Sequence, residues 1–269
     1  MVEASNDLVT MIAAARAASV GLMRRFHRLR DLRVGLKGPA DFVSEADVES
    51  EETLRRVLLG AFPTYGFVAE ESAPVAGAGA RFIVDPLDGT ANFVHGLPHF
   101  AVSIALEREG RLVAGLVLDV PKGELFVAEA GRGAWLGRER LRVSEDADFS
   151  RAIVGTGIPH AKADAATLHA RYLPMLAATM RQAAGVRRFA AAAIDLAYVA
   201  AGRYAAFFEL GLAPWDLAAG ILLVEEAGGR VSRPDGSGDV LGSGEILATN
   251  GRLHQAMVDS FRATDRSAG

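Results

Sequence analysis

Between Phe100 and Ala130 three apolar runs follow one another almost without pause: Phe100 to Leu106, Arg111 to Val120, and Glu124 to Ala130. Glu109-Gly110 and Pro121-Lys122-Gly123 join them. Runs bounded by turn residues at this spacing read as successive strands of an antiparallel meander. Phe67-Val68-Ala69 and Phe82-Ile83-Val84 are shorter apolar runs, also bounded by turn residues, and add two strands ahead of it. Ala73 to Ala80, rich in Pro, Gly and Ala, is a loop.

The texture on either side is different. Leu8, Ile12, Ala15, Ser19, Leu22, Phe26 and Leu29 recur at spacings of four and three, one face of a long helix with Arg24, Arg25, Arg28 and Arg30 on its solvated flanks. After Gly38-Pro39, Ser44 and Asp47 form a helix start; Leu54, Val57, Leu58 and Ala61 fit its buried side, and Pro63 closes it. Beyond Ser150 the pattern alternates. Strands are expected at Ala152 to Val154, Tyr204 to Phe208 and Ile246 to Ala248. Helices are expected at Ala165 to Gln182, Ala192 to Ala201, Leu217 to Ala227 and Leu253 to Phe261. The expected class is α/β, with an α+β N-terminal half over residues 1–147 and an alternating half over 148–269. No linker marks that boundary, and no internal repeat is evident.

Composition narrows the function. A chain of 269 residues, half of them hydrophobic and 23% charged, can bury one large core or two moderate ones. The net charge of −4 argues against broad attraction to nucleic acid or a membrane surface. There is no cysteine, which removes disulfides, thiol nucleophiles and thiolate zinc sites. Glu3 and Asp7 precede any basic residue, a poor signal peptide, and the most apolar region, Phe189 to Phe208, contains Asp195 and Arg203. A soluble cytoplasmic protein without direct nucleic-acid or membrane partners is expected.

The chemistry concentrates in Phe82-Ile83-Val84-Asp85-Pro86-Leu87-Asp88-Gly89-Thr90. A strand delivers one carboxylate, a proline turn follows, and a second carboxylate comes three residues later. Two carboxylates this close repel unless a cation lies between them, which suggests a hard-metal site. A plain turn also accommodates Asp-Pro and Asp-Gly. Glu70-Glu71 adds acidic charge that alone would read as solvated. Asp216 in Ala213-Pro214-Trp215-Asp216 stands where a helix begins, as an N-cap or as a carboxylate aimed into a cleft. His99 reads as a packed residue, and His27, His160, His169 and His254 lack metal-ligand spacing. Lys37 stands between a loop lysine and a residue behind the site. Gly155-Thr156-Gly157 is a turn or a pocket wall, and Gly228-Gly229 a helix stop.

Taken together, Glu70-Glu71-Ser72, Asp85 to Thr90, Ala91-Asn92-Phe93-Val94-His95-Gly96 and Trp215 to Gly220 resemble the inositol monophosphatase family. Lys37, Asp41, Val43-Ser44 and Asp47 extend the likeness upstream. The resemblance implies a layered αβαβα sandwich, the type shared with fructose-1,6-bisphosphatase, and a homodimer. It implies two to three Mg²⁺ per site: Glu70, Asp85 and the Leu87 carbonyl at the first, Asp85, Asp88 and Asp216 at the second, with Glu70 sharing a weaker third. Thr90, helped by Asp47, would orient the attacking water. Gly89 and Thr90 would face phosphate oxygens, Glu209 the substrate hydroxyls, and Asp216, Ala191 and Ala192 would adjoin the substrate. Ala190 and Ala191 depart from the family's frequent Gly followed by Ser or Thr, which removes a hydroxyl without touching the metal ligands.

The expected reaction is hydrolysis of a small phosphomonoester, with inositol 1-phosphate first. Histidinol phosphate, fructose 1,6-bisphosphate and adenosine 3′,5′-bisphosphate are alternatives within the superfamily. A regulatory protein of this fold, associated with transcription machinery, is the alternative from another class.

Overall fold

The N-terminal helical period folds as α1 (Asn6–Phe26), started by Ser5, whose hydroxyl accepts the Leu8 N–H at 3.2 Å. The structure is a computed structural model describing residues 4–38, 41–159 and 165–266, with only the backbone described at 37, 38, 41, 165, 265 and 266. Pro39, His160 and the side chains of Lys37 and Asp41, all singled out in the sequence, lie outside the described residues. A short antiparallel pair, β1 (Val34–Gly38) and β2 (Asp41–Ser44), leads into α2 (Glu45–Ala61). Ser44 and Asp47 form the reciprocal capping box that their spacing predicts. Leu54 and Leu58 are fully buried, whereas Ala61, expected on that side, is exposed in the last turn.

Seven strands then make one sheet in strict chain order: β3 (Gly66–Ala69), β4 (Ala80–Asp88), β5 (Ala101–Arg108), β6 (Arg111–Asp119), β7 (Glu124–Glu129), β8 (Gly133–Leu136) and β9 (Glu139–Arg140). A short helix, α3 (Thr90–Val94), lies between β4 and β5. All neighbours are antiparallel except β3 and β4. The meander is therefore as expected, with β8 and β9 added at its end. A second sheet, in the order β11-β10-β12-β14-β13, takes β10 (Ile153–Thr156), β11 (Gly185–Arg187), β12 (Ala206–Leu210), β13 (Arg230–Ser232) and β14 (Glu245–Thr249). Tyr204 and Ala205 precede β12 rather than belonging to it. The strands that the sequence left unassigned are three to five residues long or lie at sheet edges, too short for a period to register.

Helices α4 (Ala165–Gln182), α5 (Ala192–Ala200), α6 (Pro214–Glu226), α7 (Val240–Ser243) and α8 (His254–Arg266) complete the chain. The layers run α1 and α2, the seven-stranded sheet, α5 and α6, the five-stranded sheet, then α4 and α8: an αβαβα sandwich. The middle layer explains the apolar texture after Phe189. All nine residues of α5 are buried, as are Leu217 to Val224 of α6, because sheets cover them on both sides; a helix apolar all round belongs inside. Among the described residues, no helix is long and apolar enough to cross a membrane.

Close approach within this layer depends on absent side chains. A Cβ on Gly220 of α6 would collide with Leu196 of α5, and one on Gly115 of β6 would lie 2.9 Å from the Ala219 carbonyl oxygen. On the far face, the buried His254 joins the first turn of α8 to the second sheet: its Nδ1 lies 3.0 Å from Thr249 Oγ1 and its Nε2 3.0 Å from Ser232 Oγ. Burial, helped by Arg230, lowers its pKa from 6.5 to about 4.

Gly220→Ala should cost about 1–3 kcal/mol through forced separation of α5 and α6, outweighing the ~1 kcal/mol of helix propensity that alanine adds; urea unfolding measures the balance. His254 predicts a pH slope. The unfolded imidazole takes its proton near pH 6.5 and the folded one near pH 4. Its contribution is therefore complete above the higher value and is lost as pH falls toward the lower. Denaturation midpoints between pH 7 and pH 5 should fall less steeply in His254→Asn, and an unchanged slope would refute the assignment.

Candidate active site

In a regular strand, residues three apart point to opposite faces. Asp85 and Asp88 nevertheless line one pocket. The pairing register shows how: Asp85 lies opposite Ser103 and Asp88 opposite Ala101, so three steps along β4 match two along β5. The extra residue is a β-bulge at Pro86-Leu87, where a proline has no N–H to offer the ladder. The bulge reverses the parity and brings both carboxylates to the same side.

Helix α2 holds this bulge from behind through one polar face, residues 47, 50 and 51. Ser50 Oγ donates to the Pro86 carbonyl at 2.7 Å. Glu51 Oε2 accepts the Glu71 N–H at 2.8 Å, which places Glu70 at the pocket. Asp47 accepts from the Ser44 N–H at 2.7 Å and its hydroxyl at 2.6 Å, and with its other oxygen from Thr90 Oγ1 at 2.8 Å. Burial raises the Asp47 pKa, and the bonds from Ser44 and Thr90 oppose that rise. Sequence reasoning found Asp47 but missed Ser50 and Glu51, although buried polar residues on the side of α2 that carries Leu54 and Leu58 were a readable signal.

The third aspartate arrives from the other half of the chain. Asp216 is the third residue of α6, not its N-cap; the N-cap position is Ala213, whose N–H donates to Asp216 Oδ2 at 2.7 Å. The N-cap expectation is thus corrected to a third-residue position bonded back to Ala213, and the same side chain lines the pocket. Ser103 Oγ, opposite Asp85, donates to the Trp215 carbonyl at 3.3 Å and ties the start of α6 to β5. Glu209 on β12 completes the acidic set. Gly157 faces it, and a Cβ there would occupy the place of the Glu209 carboxylate.

The pocket holds about 320 Å³, in the range for a small ligand. Burial, then repulsion from Glu70, Asp88 and Asp216, raises the Asp85 pKa far above the usual carboxylate range. Burial and Asp216 push Asp88 up to about 8. Glu209 is raised to about 8 by burial and then by Asp216 and Asp88, while Arg188 opposes the rise. Arg188, which the sequence reading passed over, is the one lysine or arginine on the pocket wall among the described residues. The carboxylates do not form a closed cage: among the described residues, no three acidic or histidine side chains stand at metal-holding distances. Mg²⁺ suits such a set, because it prefers oxygen ligands and keeps several waters.

The remaining expected residues fall as follows. Gly89 has φ 90°, a left-handed backbone that glycine adopts without penalty, and Thr90 opens α3 beside it. Thr90 Oγ1 also lies 3.0 Å from the Leu87 carbonyl. Ala192 lines the pocket, while Ala191 is buried against Gly89. Ala190 lines it too, with φ 58°, a conformation costing an alanine about 1–2 kcal/mol. His95 borders the pocket, and His99 packs against Phe189 with its pKa lowered to about 4, chiefly by burial.

An αβαβα sandwich with acidic side chains converging from both sheets defines a metal-assisted hydrolase of small ligands. The model of the inositol monophosphatase family matches residues 4–266, and the chain belongs to that family of Mg²⁺-dependent phosphatases. It is 47% identical over 252 residues to an inositol-1-monophosphatase of Rhizobium meliloti, covering 93% of this chain and 94% of the relative. It is 44% identical over 255 residues to the Nus factor SuhB of Pseudomonas aeruginosa, covering 93% and 94%. The crystal structure of extragenic suppressor protein suhB from Bartonella henselae superposes with a TM-score of 0.92 at 44% identity, covering 96% of this chain and 98% of that one.

Ser50→Ala leaves the buried Pro86 carbonyl without its donor and should cost about 1–3 kcal/mol in urea unfolding. A loss below about 0.5 kcal/mol, the level of an ordinary surface change, would show that the bulge does not depend on α2.

Proposed function

We propose that this chain hydrolyses small phosphomonoesters with Mg²⁺, inositol 1-phosphate foremost, by direct attack of water. The observation that carries the reading is the Thr90 hydroxyl, hydrogen-bonded to the buried Asp47 at the edge of a pocket lined by Glu70, Asp85, Asp88 and Asp216. Glu70, Asp85 and the Leu87 carbonyl would hold one ion; Asp85, Asp88 and Asp216 would have to close around a second; Glu70 would share a third. Bound Mg²⁺ supplies positive charge against the phosphate dianion, lowers the pKa of water and stabilises the departing alkoxide.

The chain's own residues do the positioning. A hydroxyl has one hydrogen, and a bond to a carboxylate is stronger than one to a neutral carbonyl. Thr90 therefore directs its hydrogen to Asp47 and presents lone pairs to the pocket, where they accept from the attacking water and orient it. The backbone N–H groups of Gly89 and Thr90 face phosphate oxygens, with no Cβ at 89 to keep the ester away. Glu209 accepts hydrogen bonds from substrate hydroxyls, beside Asp216 and Ala192, with Ala191 packed behind the wall rather than on it. In this reading residues 1–147 carry most metal ligands, and 148–269 supply Asp216 and the substrate contacts. The family kinship supports a homodimer.

A second reading rests on the likeness to the Nus factor SuhB of Pseudomonas aeruginosa: an association with transcription machinery that does not require turnover. One variant separates the two. In Asp88→Asn the amide oxygen can still accept the Ala193 N–H, now 2.9 Å from Asp88 Oδ2, so the fold should persist. Changing a residue behind a metal ligand costs up to about hundredfold, so loss of a ligand should lower turnover by more than about hundredfold and weaken Mg²⁺ binding. Unchanged turnover would remove Asp88 from the site. A cellular phenotype restored by this inactive variant would favour the second reading. With the wild type, a panel of phosphomonoesters and Mg²⁺ decides the substrate; slower turnover of inositol 1-phosphate than of histidinol phosphate would overturn the substrate proposed.

A further inference from the structure

Asn92 lies where the two halves of the chain meet. It is the third residue of α3, buried, and its side-chain Nδ2 donates to the carbonyls of His99 at 2.8 Å and Phe189 at 2.7 Å, with the Ala190 carbonyl 3.4 Å away. All three neighbours are acceptors, so the amide must face them with its nitrogen, and two short bonds use both of its hydrogens. His99 belongs to the approach to β5, and Phe189 to the approach to α5, so one side chain joins segments 90 residues apart in sequence.

The segment it holds would not keep its shape unaided. Ala190 stands at φ 58°, which an L-residue with a Cβ avoids. The N-cap of α5, Ala191, has no side chain that could cap the helix. Yet Ala190 and Ala192 form part of the pocket wall, and the Ala193 N–H donates to Asp88. Gly89 packs in the same place: a Cβ there would lie 3.0 Å from the His99 carbonyl oxygen and 3.4 Å from that of Ala190.

We propose that Asn92 is a positioning residue for the substrate pocket, holding Ala190 left-handed and thereby fixing the wall that Ala190 and Ala192 present. The proposal rests on reading that pocket as the phosphoester site. Without the two donated bonds, Ala190 is free to relax to the right-handed backbone that alanine prefers, and the wall moves with it. A glycine at 190 has no such preference. The dependence on Asn92 is therefore a consequence of alanine at this position, and glycine should relieve it.

The test is a cycle of Asn92→Ala, Ala190→Gly and the double variant, assayed on the best substrate of the phosphomonoester panel, with amide hydrogen exchange at residues 190–193. Asn92→Ala should raise KM on the order of tenfold, the population factor set by the left-handed penalty, with a smaller change in kcat and faster exchange. In the double variant KM and exchange should return to within about threefold of Ala190→Gly alone, since glycine removes the drive to relax. Asn92→Asp, which keeps the size but cannot donate and repels the facing carbonyls, should raise KM at least as much as Asn92→Ala. If Asn92→Ala does not fold, Asn92→Ser takes its place in the cycle. Unchanged KM and exchange, or a loss that glycine at 190 does not restore, would overturn the proposal. If the wild type turns over none of the esters, the phosphatase reading fails and hydrogen exchange alone decides whether Asn92 acts as the clamp.

Discussion

Carboxylates that repel one another can share a buried pocket only if something else fixes them there, and here backbone N–H groups do so. Asp85 accepts from Leu87 at 2.9 Å, Asp88 from Ala193 at 2.9 Å and Asp216 from Ala213 at 2.7 Å. Each donor belongs to a different element: the β4 bulge, the first turn of α5 and the residue before α6. The acidic cluster is thus built from three backbone irregularities, and each aspartate fixes its own segment while being fixed by it. The raised pKa values of Asp85 and Asp88 are the electrostatic cost of that arrangement. A bound cation is the natural relief.

The layers of the sandwich serve this cluster. Helix α2 braces the first half of the site with Asp47, Ser50 and Glu51, which grip Thr90, Pro86 and Glu71 respectively. Helices α5 and α6 bring the second half. They are covered by a sheet on each side, and Gly220 lets them approach closely. A site between two sheets therefore inherits the rigidity of the most buried layer. The price of chemistry at its rim is visible at Ala190, a strained backbone that only its neighbours hold in place.

Much of the fold was legible because long periods are strong signals. The face of α1, the capping box of α2 and the meander from Ala101 to Glu129 all follow from the spacing of apolar and turn residues. The short strands β1, β2, β8, β9, β11 and β13 were not legible, since two to five residues carry no usable period. The helix containing Asp216 was expected, but its start was placed at Leu217 instead of Pro214, and that shift separates an N-cap from an N3 residue bonded back to Ala213. Ala61 was expected inside and is exposed, because the last turn of α2 runs past the edge of the core.

By itself the sequence determined where the carboxylates lie along the chain: Asp85 and Asp88 alone fit a turn or a hard-metal site, and only their combination with Glu70, Thr90 and Asp216, through the family resemblance, pointed to phosphoester chemistry. What only the tertiary structure decided is how those residues converge. The bulge turns Asp85 and Asp88 to one side, the Ser50 bond holds the bulge, and Asn92 ties α3 to the segment before α5. Those contacts join positions 13 to 97 residues apart, and no local pattern encodes which of them will meet; that is settled when the five layers pack together.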